Sequence, residues 1–138
     1  MKPVFYIFIY LSLLFVWNTS YAGYIFKEWS VNDDSVCKLE LEENMTESPG
    51  WNGIGKPPIT VEDSNKIVEN WSKSKFGQDI DLHIVSYQLN SFRTKEMKNN
   101  VWLWNLELRK FNNGTPMNEF IDNVIILMDG KLIEKVCN

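Results

Sequence analysis

The sequence predicts an α+β domain in which one main helix packs on a four- to five-stranded antiparallel meander. Three observations lead to this prediction. Residues 60–77 carry helical spacing and both helix-end signals. The segments that follow alternate in polarity or run apolar over strand lengths, and short turns rich in Asn, Asp and Gly separate them.

The N-terminal segment has the composition of a targeting sequence. After Lys2, residues 4–17 are almost unbroken apolar, and the small residues Ser20 and Ala22 precede Gly23. This pattern predicts a signal peptide, residues 1–22, that is cleaved before Gly23. The alternative is an uncleaved anchor, but fourteen helical residues span only about 21 Å of a hydrocarbon core of about 30 Å. We therefore expect residues 23–138 to form a single domain that is periplasmic or secreted and meets the membrane only during export.

The charge and the rare residue types exclude several kinds of function. The chain has 14 basic and 18 acidic residues, a charge of −4, and removal of Lys2 with the leader leaves −5. No basic block marks a surface for nucleic acid or an anionic membrane. One histidine and two distant cysteines do not make a metal site, so no metal or cofactor is expected.

The two cysteines are expected to form a disulfide bond. Cys37 and Cys137 are the only thiols, and export would place them in an oxidising compartment. Neither lies in a Cys-x-x-Cys motif, which disfavours a thiol oxidoreductase. Two free thiols or an intermolecular bond are the alternatives.

The first half of the exported domain predicts a strand, a long loop and the helix. Residues 36–42 alternate around Cys37, with an additional short strand expected before them, and residues 44–58 are too rich in Pro and Gly for regular structure. Thr60 is a suitable N-cap and Gly77 a suitable C-terminal residue. The buried stripe of this helix is expected to comprise Ser64, Ile67, Val68, Trp71 and Phe76.

The second half predicts the meander. The apolar parity changes near Ile84 and Val85, which indicates a β-bulge. Residues 101–111 place Trp102 and Trp104 on one face, expected to pack beneath the helix with Trp71. Residues 120–128 are apolar without alternation, which predicts cover on both faces.

A two-residue turn at Asp129-Gly130 is expected to join this strand to residues 131–136. It would set Ile126 opposite Ile133 and Ile125 opposite Glu134.

The order of these elements resembles a known type of domain. A leader, a helix with a Trp, a Trp-rich strand and the closing run Val-Ile-Ile-Leu-Met-Asp-Gly-Lys-Leu-Ile-Glu resemble small exported bacterial cystatin-like or PepSY-like domains over about residues 59–136. The resemblance implies binding or inhibition, often of peptidases, rather than catalysis. The chain lacks the Gln-x-Val-x-Gly hairpin of cystatins: residues 88–92 read Gln-Leu-Asn-Ser-Phe.

The Pro/Gly loop carries the candidate binding residues. Trp51, Asn52 and Ile54 stand in a segment that would otherwise be solvated, and a loop aromatic is a common anchor for a partner protein. The alternative is that Trp51 and Ile54 fold back and cover the sheet face opposite the helix.

These observations predict a non-enzymatic protein that acts by protein–protein contact, as an inhibitor or immunity protein of a secreted hydrolase or toxin. An accessory or structural envelope protein is one alternative. A periplasmic hydrolase that uses His83, oriented by Asp81, is another, although no serine or cysteine nucleophile is marked in the sequence.

Overall fold

The computed structural model describes residues 23–47, 50–118 and 122–138. The predicted signal peptide lies outside the described residues. Over the described ranges the fold class is α+β, as predicted, with one α-helix and antiparallel sheets. No helix in these ranges is long and apolar enough to cross a membrane.

About half of the described residues lie in strands. The strands are β1 Gly23–Asn32, β2 Ser35–Glu42, β3 Ile80–Phe92, β4 Val101–Asn112, β5 Thr115–Pro116, β6 Asp122–Leu127, β7 Leu132–Glu134 and β8 Val136–Cys137. A short 3₁₀ helix covers Glu43–Glu47, and the helix α1 covers Val61–Phe76.

The strands form two sheets rather than the single meander that the sequence predicted. The meander exists, in the order β3-β4-β6-β7 with β5 beside β4, but β1, β2 and β8 pair separately. The additional strand expected before Cys37 is the ten-residue β1, and it is the partner of β2. The prediction failed because sheet membership depends on long-range pairing, which the local pattern of a strand does not encode.

The larger sheet is the middle of three layers. On one face α1 and the residues around it pack against alternate β4 and β6 residues, Trp104, Leu106, Leu108, Val124 and Ile126. On the other face β2 and its neighbours pack against the intervening residues, Leu103, Ile125 and Leu127. Strand β6 is therefore covered on both faces, which confirms the interpretation of its unbroken apolar run.

The helix begins and ends at the predicted residues. The Thr60 side chain accepts a hydrogen bond from the Asp63 N–H, and Asp63 Oδ2 accepts one from the Thr60 N–H at 2.9 Å, which forms a capping box. The Thr60 hydroxyl also donates to Asp63 Oδ2, at 2.7 Å, and this hydrogen bond together with the one from the Thr60 N–H lowers the pKa of Asp63. Gly77 follows the helix with φ of 84°. Ser64 and Val68 are buried, as predicted.

The bulge is confirmed, but the register of the last hairpin was wrong by one residue. Pairing of β3 with β4 shifts between Ile84 and Ser86. In the hairpin Ile125 lies opposite Ile133, since the loop has three residues, closed by the Gly130 N–H donating to the Leu127 carbonyl at 2.9 Å.

The physical reason for this register is Glu134. The predicted pairing would turn its carboxylate toward the apolar layer between the two sheets. In the observed register it lies on the helix side, where its Oε1 accepts from Trp71 Nε1 at 2.6 Å and its Oε2 pairs with Lys75.

The predicted disulfide bond is present. Cys37 on β2 lies directly opposite Cys137 on β8, and the bond joins their sulfur atoms. The last strand of the predicted meander therefore divides at Lys135: β7 stays in the larger sheet and β8 crosses to the smaller one. The disulfide fixes this crossing.

Candidate functional site

The loop formed by residues 51–55 is anchored to the domain by Trp51. The indole of Trp51 packs edge-to-face on Trp102 of β4, with ring centroids 5.0 Å apart and an interplanar angle of 66°. Both rings belong to the helix-side cluster. Trp51 is therefore half-buried, and it covers the sheet beside the helix.

This placement corrects one alternative that the sequence left open. Trp51 does not cover the sheet face opposite the helix, because the sheet of β1, β2 and β8 covers that face. Trp102 and Trp104 pack in the helix-side cluster with Trp71, as predicted, although among the ring contacts of the described residues Trp71 meets Phe76, at 5.7 Å. A contact between positions 51 and 102 has no signature in either local sequence.

Ile54 is the residue that the loop presents to solvent. Its side chain is 77% exposed. Its backbone is nevertheless fixed on both sides: the Ile54 N–H donates to Asn52 Oδ1 at 3.0 Å, and its carbonyl accepts from Trp51 Nε1 at 2.9 Å. The three residues predicted as one binding site therefore have three roles, with Trp51 as the anchor, Asn52 as the brace and Ile54 as the exposed group.

The two glycines beside Ile54 make this geometry attainable. Gly53 and Gly55 have φ of 80° and 75°, values that residues with a Cβ rarely adopt. A Cβ on Gly53 would also lie 2.5 Å from Trp102 Cζ2, whereas one on Gly55 would meet nothing within 4 Å. Gly53 thus allows the loop to approach the Trp102 ring closely.

We expect Gly53→Ala to destabilise the protein more than Gly55→Ala does. The positive φ costs both variants about 1–2 kcal/mol of unfolding free energy. Overlap with Trp102 should add about 1–3 kcal/mol at Gly53 alone. Urea unfolding measures both losses, and near-ultraviolet circular dichroism should report the disturbed Trp51–Trp102 pair only in Gly53→Ala. Equal losses in the two variants would show that the loop is not packed on Trp102.

The alternative catalytic pair lies away from the loop that carries Trp51. Asp81 and His83 are exposed on β3, at one edge of the larger sheet, and the His83 ring stacks on Phe111 with centroids 4.2 Å apart. Both line a groove of about 420 Å³ against α1. The Ser72 hydroxyl in this groove is buried and donates to the Ile80 carbonyl at 3.4 Å.

Two further observations bear on the class of site. Among the described residues, no three His, Cys, Asp or Glu side chains come together as ligands for a metal ion. Comparison of the chain with protein-family models, with curated proteins and with solved structures found no match. The resemblance to cystatin-like and PepSY-like domains therefore stays a prediction.

Proposed function

We propose that this protein is an exported, non-enzymatic binding protein that recognises another protein through Ile54. The observation that carries the proposal is the combination of an exposed apolar side chain with a backbone held at both of its polar groups. The bracing holds Ile54 at a defined position on the surface.

The bracing favours binding for an energetic reason. Full burial of an isoleucine side chain contributes about 1.5–3 kcal/mol. In a mobile loop, part of that gain would be lost in ordering the chain, and a pre-ordered loop avoids this loss. The chemistry of Ile54 predicts an apolar pocket on the partner.

The charge of the domain favours a basic partner. Removal of the predicted leader leaves thirteen basic against eighteen acidic residues, and complementary charge accelerates the encounter of two proteins. A secreted hydrolase or toxin with a basic surface around an apolar pocket fits both features, with this protein acting as its inhibitor or immunity protein. The binding function implied by the cystatin-like or PepSY-like resemblance supports the same class of activity.

The disulfide bond supports the proposed location. A bond between Cys37 and Cys137 is typical of an oxidising compartment. The periplasm or the exterior of the cell is therefore the place to look for the partner.

The test compares two isoleucines with different surroundings. Affinity capture of partner proteins from the native extract uses the tagged domain, residues 23–138, as wild type and as the Ile54→Asp and Ile25→Asp variants. Ile25 on β1 is the matched control, since it is 49% exposed and lies on the other sheet. We expect Ile54→Asp to weaken the captured interaction by at least about tenfold, the equivalent of 1.4 kcal/mol, without lowering the melting temperature.

The control variant makes the result specific. Ile25→Asp carries the same added charge and should retain the partner. If Ile54→Asp captures the same proteins as the wild type, or if both variants lose them equally, Ile54 is not the recognition residue.

A further inference from the structure

A second site lies between the two sheets, separate from the loop that carries Ile54. It is a cleft of about 870 Å³ that opens between β1 and the face of the larger sheet that points away from α1. Its volume is within the range of pockets that hold small organic molecules. Where β2 covers this face the layer is apolar, but beyond Leu103 strand β4 continues with Asn105, Glu107 and Arg109.

The described lining of the cleft combines cationic and apolar residues with the polar residues Ser30, Asn118 and Asn123. Its charged members are Lys27, Arg109 and Lys135, and its apolar members are Trp29, Val31, Val85 and Met117. None of its described lining residues is acidic, although acidic residues outnumber basic ones in the chain. Glu107 shares this face of β4 but does not line the cleft.

Three contacts position two of the cationic groups. Lys27 Nζ donates to Oδ1 of the buried Asn123 at 3.2 Å and lies 5.7 Å from the centre of the Trp29 ring. The Arg109 guanidinium lies 5.9 Å from the Phe111 ring centre. Lys27 is therefore half-buried beside apolar surface, whereas Arg109 is exposed and lies next to the Phe111 ring.

The β-bulge gives Val85 its place in the cleft. Val85 is the residue passed over by the register shift between Ile84 and Ser86, and bulges of this kind redirect a side chain. Val85 is 52% exposed and is part of the cleft wall. A hydrophobic side chain at an exposed edge of the sheet is explained if a ligand covers it.

We propose that this cleft binds a small amphipathic anion, a molecule with one carboxylate or similar anionic group and an apolar body. The anionic group lies between Lys27 and Arg109, and the body packs on Trp29, Val31 and Val85. The four apolar residues of the lining disfavour a bare inorganic anion, and its cations disfavour a neutral or cationic ligand.

The first experiment uses octanoate and its methyl ester as probes of the intact exported domain. Binding is measured by titration calorimetry and by shifts of the amide resonances of β1 and β4. We expect saturable binding of octanoate and binding of the ester that is at least roughly fivefold weaker, because only octanoate forms charge-assisted hydrogen bonds. Equal binding of the two probes, or none of either, would overturn the proposal.

The second experiment changes the charge in the cleft at a position that tolerates substitution. Val85→Asp and Val85→Lys remove the same apolar side chain from an exposed site, so both should fold. We expect Val85→Asp to weaken octanoate binding by roughly tenfold or more and Val85→Lys to change it by less than about threefold. Equal weakening by both variants would contradict an anion site.

A third pair separates a local effect from the overall charge. Arg109→Gln should weaken octanoate binding roughly three- to tenfold, whereas Lys95→Gln makes the same charge change in the loop at the opposite end of the sheet and should have no effect. Ile54→Asp should bind octanoate as the wild type does. The proposal for the cleft and the proposal for the Ile54 loop can therefore be tested independently.

Discussion

Removal of the Cys37–Cys137 disulfide should lower the free energy of unfolding by about 2–5 kcal/mol. The bond closes a sequence separation of 100 residues, for which loss of chain entropy in the unfolded state predicts about 4.7 kcal/mol. Strand β8 is short: it pairs with β2 at Cys137 and Val136, and beside it the Asn138 N–H donates to the Val36 carbonyl at 3.0 Å. Without the bond we expect the C-terminal strand to detach before the rest of the domain unfolds.

The test uses the double variant Cys37→Ala, Cys137→Ser. Alanine replaces the buried Cys37, and serine replaces the exposed Cys137. Its stability is measured by urea unfolding, and reduction of the wild type with dithiothreitol should produce a similar loss. Dithiothreitol should leave the double variant unchanged, which controls for other effects of the reductant. Hydrogen exchange at residues 136–138 should be faster in the double variant and in the reduced wild type than in the oxidised wild type. A decrease in the free energy of unfolding of less than about 1 kcal/mol would show that the disulfide restricts the unfolded chain only weakly.

The elements that the sequence predicted correctly are those with local causes. The helix begins at Thr60 and ends before Gly77 because capping depends on side chains within one turn of the helix end. The bulge at Val85 followed from a change of parity within a single strand. Neither required knowledge of a distant partner.

The second sheet and the hairpin register depended on distant residues. The contacts of Glu134 with Trp71 and Lys75 on the helix stabilise the observed register. These residues are separated from Glu134 by nearly half the length of the chain. The Asp129-Gly130 pair is compatible with two- and three-residue loops, so the turn signal alone did not decide between them.

The candidate site was predicted only in part, because its geometry also depends on distant residues. The Pro/Gly composition of residues 44–58 located the loop, and Trp51 and Ile54 were its only large apolar groups apart from Met45. Which of them faces solvent depends on Trp102, which packs against Trp51. The cleft residues Lys27 and Arg109 lie on strands of different sheets, and nothing in the sequence brings them together.

Truncation of two neighbouring residues on β6 should test the three-layer architecture directly. Ile125→Ala and Ile126→Ala should each lower the free energy of unfolding by about 2–5 kcal/mol. Both side chains are fully buried, but Ile125 belongs to the cluster between the sheets and Ile126 to the cluster beneath the helix. Adjacent residues on a strand that is covered on one face only would give one large and one small loss.

Urea unfolding of the two variants, with Ile25→Ala as the exposed control, measures these losses. The control should cost less than about 1 kcal/mol, because nearly half of the Ile25 side chain is already in water. If an alanine variant does not fold, Ile125→Val and Ile126→Val should each still cost about 0.5–1.5 kcal/mol. A near-neutral Ile125 variant would mean that β1, β2 and β8 do not cover the larger sheet. The cleft between the sheets would then not exist, whereas the Ile54 loop on the helix side would be unaffected.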